Sequence, residues 1–206
     1  MSDSYTVDEA LEILFKRLES EIGWKYLKSQ RMLKKAVKNL VFEINFYTSK
    51  WNVSHKNIEV NAEFRLVNKD YGKLPSNVNN IVAWMAYQPD TYWYDITTEE
   101  KLNDTFSELN NRIQKTAVKL FSEFEKDPVA ATKILFENYF DECSVSIDFV
   151  ADMLGVDTIK EKAKEIYDNL SDEMKEQVVE YKNGIRNKTW MINRGNLKYI
   201  IDENLI

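Results

Sequence analysis

The sequence holds one cysteine, Cys143, and one histidine, His55, in 206 residues. A lone cysteine excludes an intramolecular disulfide framework and a four-cysteine zinc site, and it fits a reducing compartment. With one imidazole, a multi-histidine metal site is excluded, and a Ser-His-Asp or Cys-His arrangement must be built around His55 or not at all. Glycine and proline are scarce too, at five and three. Gly23, Gly72, Gly155, Gly184 and Gly195 lie too far apart for a phosphate-binding loop or a dinucleotide fingerprint. Apolar runs such as 81–87 fall far short of the roughly 18 residues that cross a bilayer, and Met1-Ser2-Asp3-Ser4 shows no charged-then-apolar leader. The expectation is a cytoplasmic chain that uses no cofactor, holds no metal and does not enter a membrane.

What is present patterns clearly. A chain of this length buries roughly 70% of its unfolded surface and needs no staple. Thr6 and Glu9 form a capping box, and Val7, Leu11, Leu14, Phe15, Leu18 and Ile22 keep helical spacing up to Gly23. From Trp24 to about Tyr94 the period becomes two. Leu40, Phe42, Ile44 and Phe46 alternate with Val41, Glu43, Asn45 and Tyr47, and Ile58, Val60, Ala62, Phe64 and Leu66 alternate with Asn57, Glu59, Asn61, Glu63 and Arg65. The polar stretch 49–54 joins these two strands as an antiparallel hairpin. Weaker strands are expected at 24–28 and 31–37. After a loop over 68–80 that contains Pro75, segments 81–87 and 91–96 flank Pro89 as one more hairpin.

At Thr97 helical periodicity returns. Thr97 and Glu100 form a second capping box, and Leu102, Phe106, Leu109, Ile113, Ala117, Leu120 and Phe124 trace a stripe of about seven turns. Asp127-Pro128 restarts a helix through Phe140. Further helices are expected over 144–154, from Asp157 to about Asn169, and from Ser171 to Gly184, with a strand and then a helix in the tail. The pattern is α+β: an N-terminal helix, an antiparallel meander of about four to six strands, then a run of about five helices packed on the sheet. No linker or repeat interrupts it, so residues 1–206 read as one domain, with helix and sheet in 1–96 and a mainly helical portion in 97–206.

The opening order carries a resemblance. An amphipathic helix, then Gly23-Trp24-Lys25-Tyr26-Leu27-Lys28-Ser29, the lysine-bearing strand Arg31-Met32-Leu33-Lys34-Lys35 and the strand ending Phe46-Tyr47-Thr48-Ser49-Lys50 resemble a group of small bacterial proteins catalogued as domains of unknown function. The resemblance covers about the first third of the chain. It implies a helix against an antiparallel sheet and brings no catalytic residues with it.

Charge is unevenly placed. Residues 24–38 carry six basic side chains, Lys25, Lys28, Arg31, Lys34, Lys35 and Lys38, and no acid, so the remainder holds −12 of a net −6 chain. With Trp24 and Tyr26 interleaved, this segment fits a sequence-tolerant nucleic-acid surface, whose affinity would fall with log salt at a slope of about −5 if all six met phosphates. The same lysines also fit the protection of an exposed edge strand, and a net −6 repels nucleic acid at long range. A second cluster, Trp84, Tyr87, Tyr92, Trp93 and Tyr94, surrounds Pro89. Alternation divides it between two faces, leaving either a binding surface or aromatics buried under helices on both sides.

Carboxylates are the third candidate. Asp141, Glu142, Asp148 and Asp152 are close in sequence, and Asp148 and Asp152 share a helix face at i and i+4. A hard cation or a hydrolytic site would need further ligands from other elements. His55 reads as a surface loop residue, and Cys143 as an inert small side chain unless a helix start at Ser144 lowers its pKa. The reading is a non-catalytic protein-binding or regulatory module, immunity-like, monomeric or weakly dimeric, whose acidic helical half meets a protein partner. A nucleic-acid binder using 24–38 and a carboxylate-dependent hydrolase are the alternatives.

Overall fold

A computed structural model describes residues 4–71, 80–87, 93–140, 142–187 and 195–206. Helix α1, Val7–Ile22, begins where Glu9 accepts the Thr6 amide at 2.9 Å, and it closes on Gly23, whose φ of 70° makes glycine the residue of choice. Its buried stripe is Ala10, Leu11, Leu14, Phe15, Leu18 and Ile22. The strands β1 (Lys25–Leu27), β2 (Met32–Val37), β3 (Leu40–Thr48), β4 (Glu59–Asn68), β5 (Ile81–Tyr87) and β6 (Tyr94–Asp95) follow. Next come α2 (Glu99–Ile113), a π turn (Gln114–Val118) and α3 (Lys119–Lys126), forming one rod, then α4 (Pro128–Tyr139), β7 (Ser144–Val145) and α5 (Ile147–Leu154). A 3-10 turn (Val156–Ile159), α6 (Lys160–Asp168), α7 (Asp172–Lys182) and α8 (Gly195–Asp202) complete the chain. The fold is α+β, as the change of period implies.

The sheet is antiparallel throughout, in the order β1-β2-β3-β4-β5-β7, with β6 also on β4. Three expectations are corrected. Among the described residues, the expected hairpin of 81–87 with 91–96 is not formed: β4 outruns β5, so β5 pairs it up to Ala62↔Tyr87 and β6 continues at Val60↔Tyr94. Thr97 does not cap α2. Its hydroxyl donates to Asp95 at 2.6 Å and accepts the Ile58 amide at 2.9 Å, so Thr98 takes the cap. Ser144 does not start a helix, because its backbone pairs with Trp84 in β7, and α5 begins two residues beyond β7. In the tail α8 is helical as expected; the expected strand falls largely on 188–194, outside the described residues, as do Pro75 and Pro89.

One face of the sheet is core. Leu33, Ile44, Phe64 and Met85 form a cross-strand row on it. Phe42 meets Phe121 at 5.2 Å and Phe124 at 5.7 Å between ring centroids, and Phe15 of α1 meets Phe46 at 4.4 Å. Each such ring contributes on the order of 2 kcal/mol by burial, and Phe42→Ala would cost about 3–5 kcal/mol because a cavity would remain. This cluster reaches Ile200, while Val178, Tyr181, Leu197 and Ile201 make a smaller one between α7 and α8. Among the described residues no helix is long and apolar enough to cross a membrane.

Candidate functional site

Period two sends the intervening side chains of the same strands to the opposite face, where the helices' ring contacts described above do not reach. Cross-strand register aligns Lys25, Lys34, Glu43, Arg65, Trp84 and Ser144 in one row across six strands. The next row is Leu27, Met32, Asn45, Glu63 and Ala86, and Tyr47 lies opposite Asn61 beyond it. Tyr47 and Trp84 are 42% and 38% exposed, so this face is open where they stand.

Glu63 organises it. Trp84 Nε1 donates to Glu63 Oε2 at 2.7 Å, and the Tyr47 hydroxyl donates to Oε1 at 2.5 Å. Arg65 donates to the Tyr47 oxygen at 2.6 Å and ion-pairs with Glu63. One shielded carboxylate thus fixes the polar ends of a tryptophan, a tyrosine and an arginine, leaving their apolar surfaces outward. Burial pushes the Tyr47 phenol up to about 12, helped by its hydrogen bond to Glu63. Lys34 pairs with Glu43 at 3.2 Å, which offsets the repulsion of Lys25 directly opposite it. Among the described residues, Asn45 Nδ2 and Arg65 Nε are buried here without a hydrogen bond.

The basic segment does not form one stripe. Lys25 and Lys34 lie on the open face, whereas Lys35 is on the core face with its ammonium 4.5 Å from the centre of the Phe121 ring. Lys28 and Arg31 sit in the β1–β2 connection, where Arg31 donates to Thr48 at 2.6 Å, and Lys38 occupies the next turn at φ 54°. Trp24 is 1% exposed, packed against Phe42 and Phe121, and therefore cannot stack on a base. Tyr26 packs on Phe15 and, with Lys28 and Arg31, lines a cleft of about 510 Å³ beside α1.

The aromatic cluster also divides. Trp84 is on the open face, Tyr87 and Tyr94 are buried, Trp93 is half-buried, and Tyr92 lies outside the described residues. Among the carboxylates Asp148 is buried, accepting the Phe149 amide at 2.8 Å, while Asp152 is exposed. A cavity of about 40 Å³ is lined by Phe149 and Met153 of the same helix and by neither carboxylate. Asp141 lies outside the described residues, and among those described no cluster of three His, Cys, Asp or Glu side chains fits a metal ion. His55 is a fastener: its amide donates to Tyr5 O at 2.8 Å, and its Nδ1 lies 3.0 Å from Ser4 O. Cys143 is buried, which pushes its thiol up to about 12.

Tyr47, Glu63, Arg65 and Asn45 were not singled out as site residues by the sequence. Alternation assigns each to the polar face of its strand, but only the β3–β4 register, which sets Glu63 opposite Asn45 and Arg65 opposite Glu43, assembles them. No family model matches the chain, and no curated protein or solved structure matches it.

Proposed function

We propose that the chain is a non-catalytic protein-binding module that docks its partner on the open sheet face, with Trp84, Tyr47 and Arg65 as anchors. The observation that supports this reading is the single carboxylate of Glu63 holding all three side chains in place while Trp84 and Tyr47 stay accessible. Tryptophan, tyrosine and arginine dominate interface energetics, and anchors ordered before binding lose little entropy on contact. The charges of the face are largely paired, Lys34 with Glu43 and Arg65 with Glu63. Such a surface suits a protein better than a phosphate backbone, which would meet two carboxylates at its centre. The acidic excess of the helical half, Glu173, Glu176 and Glu180 on α7 for example, would speed the approach of a basic partner.

The test is photocrosslinking in cells that express the protein, with a benzophenone amino acid at position 84 or 47 and, as control, at Val179 on α7. A discrete protein adduct from 84 and 47 but not from 179 is the expected result. An adduct removed by nuclease, or none from either sheet position, overturns the proposal.

A further inference from the structure

We propose that the chain pairs with a second copy of itself across a two-fold axis, each copy seating Trp51 of its β3–β4 hairpin tip in the cleft beside α1 of the other. This contact does not depend on the docking role given to the open sheet face. Trp51 is 72% exposed and Val53 50%, more than either Trp84 or Tyr47. The backbone around them holds them out. Asn52 acts as a strand residue opposite Glu59: its Nδ2 donates to Glu59 O at 2.9 Å, and its Oδ1 accepts the Glu59 amide at 2.9 Å. The Val53 amide donates to Asn57 O at 2.7 Å, and the Trp51 amide donates to Ser49 Oγ at 3.2 Å. An indole on a braced tip leaves a large apolar ring in water, and burying such a ring against a partner is among the strongest single contributions to association.

The cleft of about 510 Å³ supplies the complement. Leu11, Phe15 and Tyr26 give it an apolar lining, and its volume is in the range that encloses small aromatic molecules. Arg31, which also lines it, has no acidic partner among the described residues, only the Thr48 hydroxyl, and an indole face is the best aromatic partner for a guanidinium. Glu12 is taken up by Lys16 at 2.7 Å and Lys28 at 3.6 Å, whereas Asp8 lines the same cleft with no ion pair among the described residues. Lys50 and Lys56 are exposed on either side of the indole in a tip, 49–58, that carries no acid, so the incoming knob brings the charge that Asp8 lacks. Knob and cleft are neighbours: Arg31 donates to Thr48, three residues before Trp51, and the Val7 amide at the start of α1 donates to Ser54 Oγ at 3.2 Å, three residues after it. A projection and a hollow side by side on one surface are self-complementary under a two-fold axis, so the contact is made twice and the pair closes without growing into a filament.

The test is sedimentation velocity on the whole protein over a concentration series. The wild type should pass from monomer to dimer as concentration rises. Trp51→Ala, at an exposed position, removes the contact twice and should raise the dimer dissociation constant about a hundredfold or more. Glu12→Trp, at an exposed position of α1, fills the cleft and should weaken the dimer comparably. The two variants mixed should then associate more tightly than either alone, because their heterodimer seats the one intact knob in the one open cleft. A wild type that stays monomeric throughout, or a dimer that either variant leaves as tight as before, overturns the proposal. A mixture no tighter than its components overturns the seating of Trp51 in the cleft, and growth beyond the dimer overturns the two-fold closure.

Discussion

The hydroxyl of Tyr87 lies 2.5 Å from Oγ1 of Thr116, at the point where the α2–α3 rod widens into its π turn. The Thr116 hydroxyl proton goes to Arg112 O at 2.8 Å, so Tyr87 donates to Thr116. A strand side chain inserted into the helix ladder is a recognised cause of such a widening. Tyr87→Phe should therefore destabilise the protein by about 1–3 kcal/mol, since it removes the donor to the partly buried Thr116 oxygen. Thr116→Val should cost less than that, and the double variant less than the sum of the two. Urea unfolding measures all three, and a Tyr87→Phe variant as stable as the wild type would refute the wedge.

The open face has an alkaline signature. The Tyr47 phenol, raised by burial and by Glu63 to about 12, keeps its proton in the folded chain longer than in the unfolded one. Its contribution to stability is fully present below the ordinary tyrosine pKa of about 10 and is lost as pH rises through about 12. Absorbance at the phenolate band, taken as the difference between wild type and Tyr47→Phe, should show this late titration. Glu63→Gln should bring it earlier, because the carboxylate no longer opposes a neighbouring negative charge. An unchanged titration in Glu63→Gln would sink the hub role given to Glu63.

Local physics was legible in the sequence, and long-range register was not. The capping box at Thr6 and Glu9, the Asp127 cap and the alternation in β3 and β4 are set by neighbours a few residues away. The capping box at Thr97 misled because Ile58, distant in sequence, takes its hydroxyl. Ser144 likewise follows pairing with Trp84 and not helical propensity. For the site, the sequence identifies Trp84 and Lys34 as candidates, but it also offers Trp24, whose neighbours Phe42 and Phe121 become visible only once the sheet and α3 are packed. Glu63 was hidden for the same reason: a carboxylate on the polar side of a strand is ordinary until Trp84 and Tyr47 are seen to converge on it.

Cys143 should be silent in the native state. Burial, with Glu142 adjoining, holds its thiol near 12, so very little thiolate exists at neutral pH. A disulfide-exchange reagent should label it only through opening of the fold, at a rate that rises steeply with urea. Rapid stoichiometric labelling of the native protein would contradict its burial against Met85, whose sulfur lies 3.9 Å away.

The two buried clusters should not share one stability. Val178 and Tyr181 of α7 pack with Leu197 and Ile201 of α8 and belong to the smaller cluster, whereas Phe42 and Phe64 belong to the larger. Among the described residues α7 contributes no side chain to the large cluster, so its amides should exchange by local opening, at lower free energy than those of β3 and β4. Val178→Ala removes two methyl groups from the small cluster and should destabilise it by about 1–2.5 kcal/mol. Hydrogen exchange should then speed up across α7 while β3 and β4 change little, because their slowest amides open only when the large cluster does. Equal acceleration in α7 and β3 would show instead that the clusters unfold together, with Ile200 and Ile201, adjacent in α8 yet divided between them, as the link.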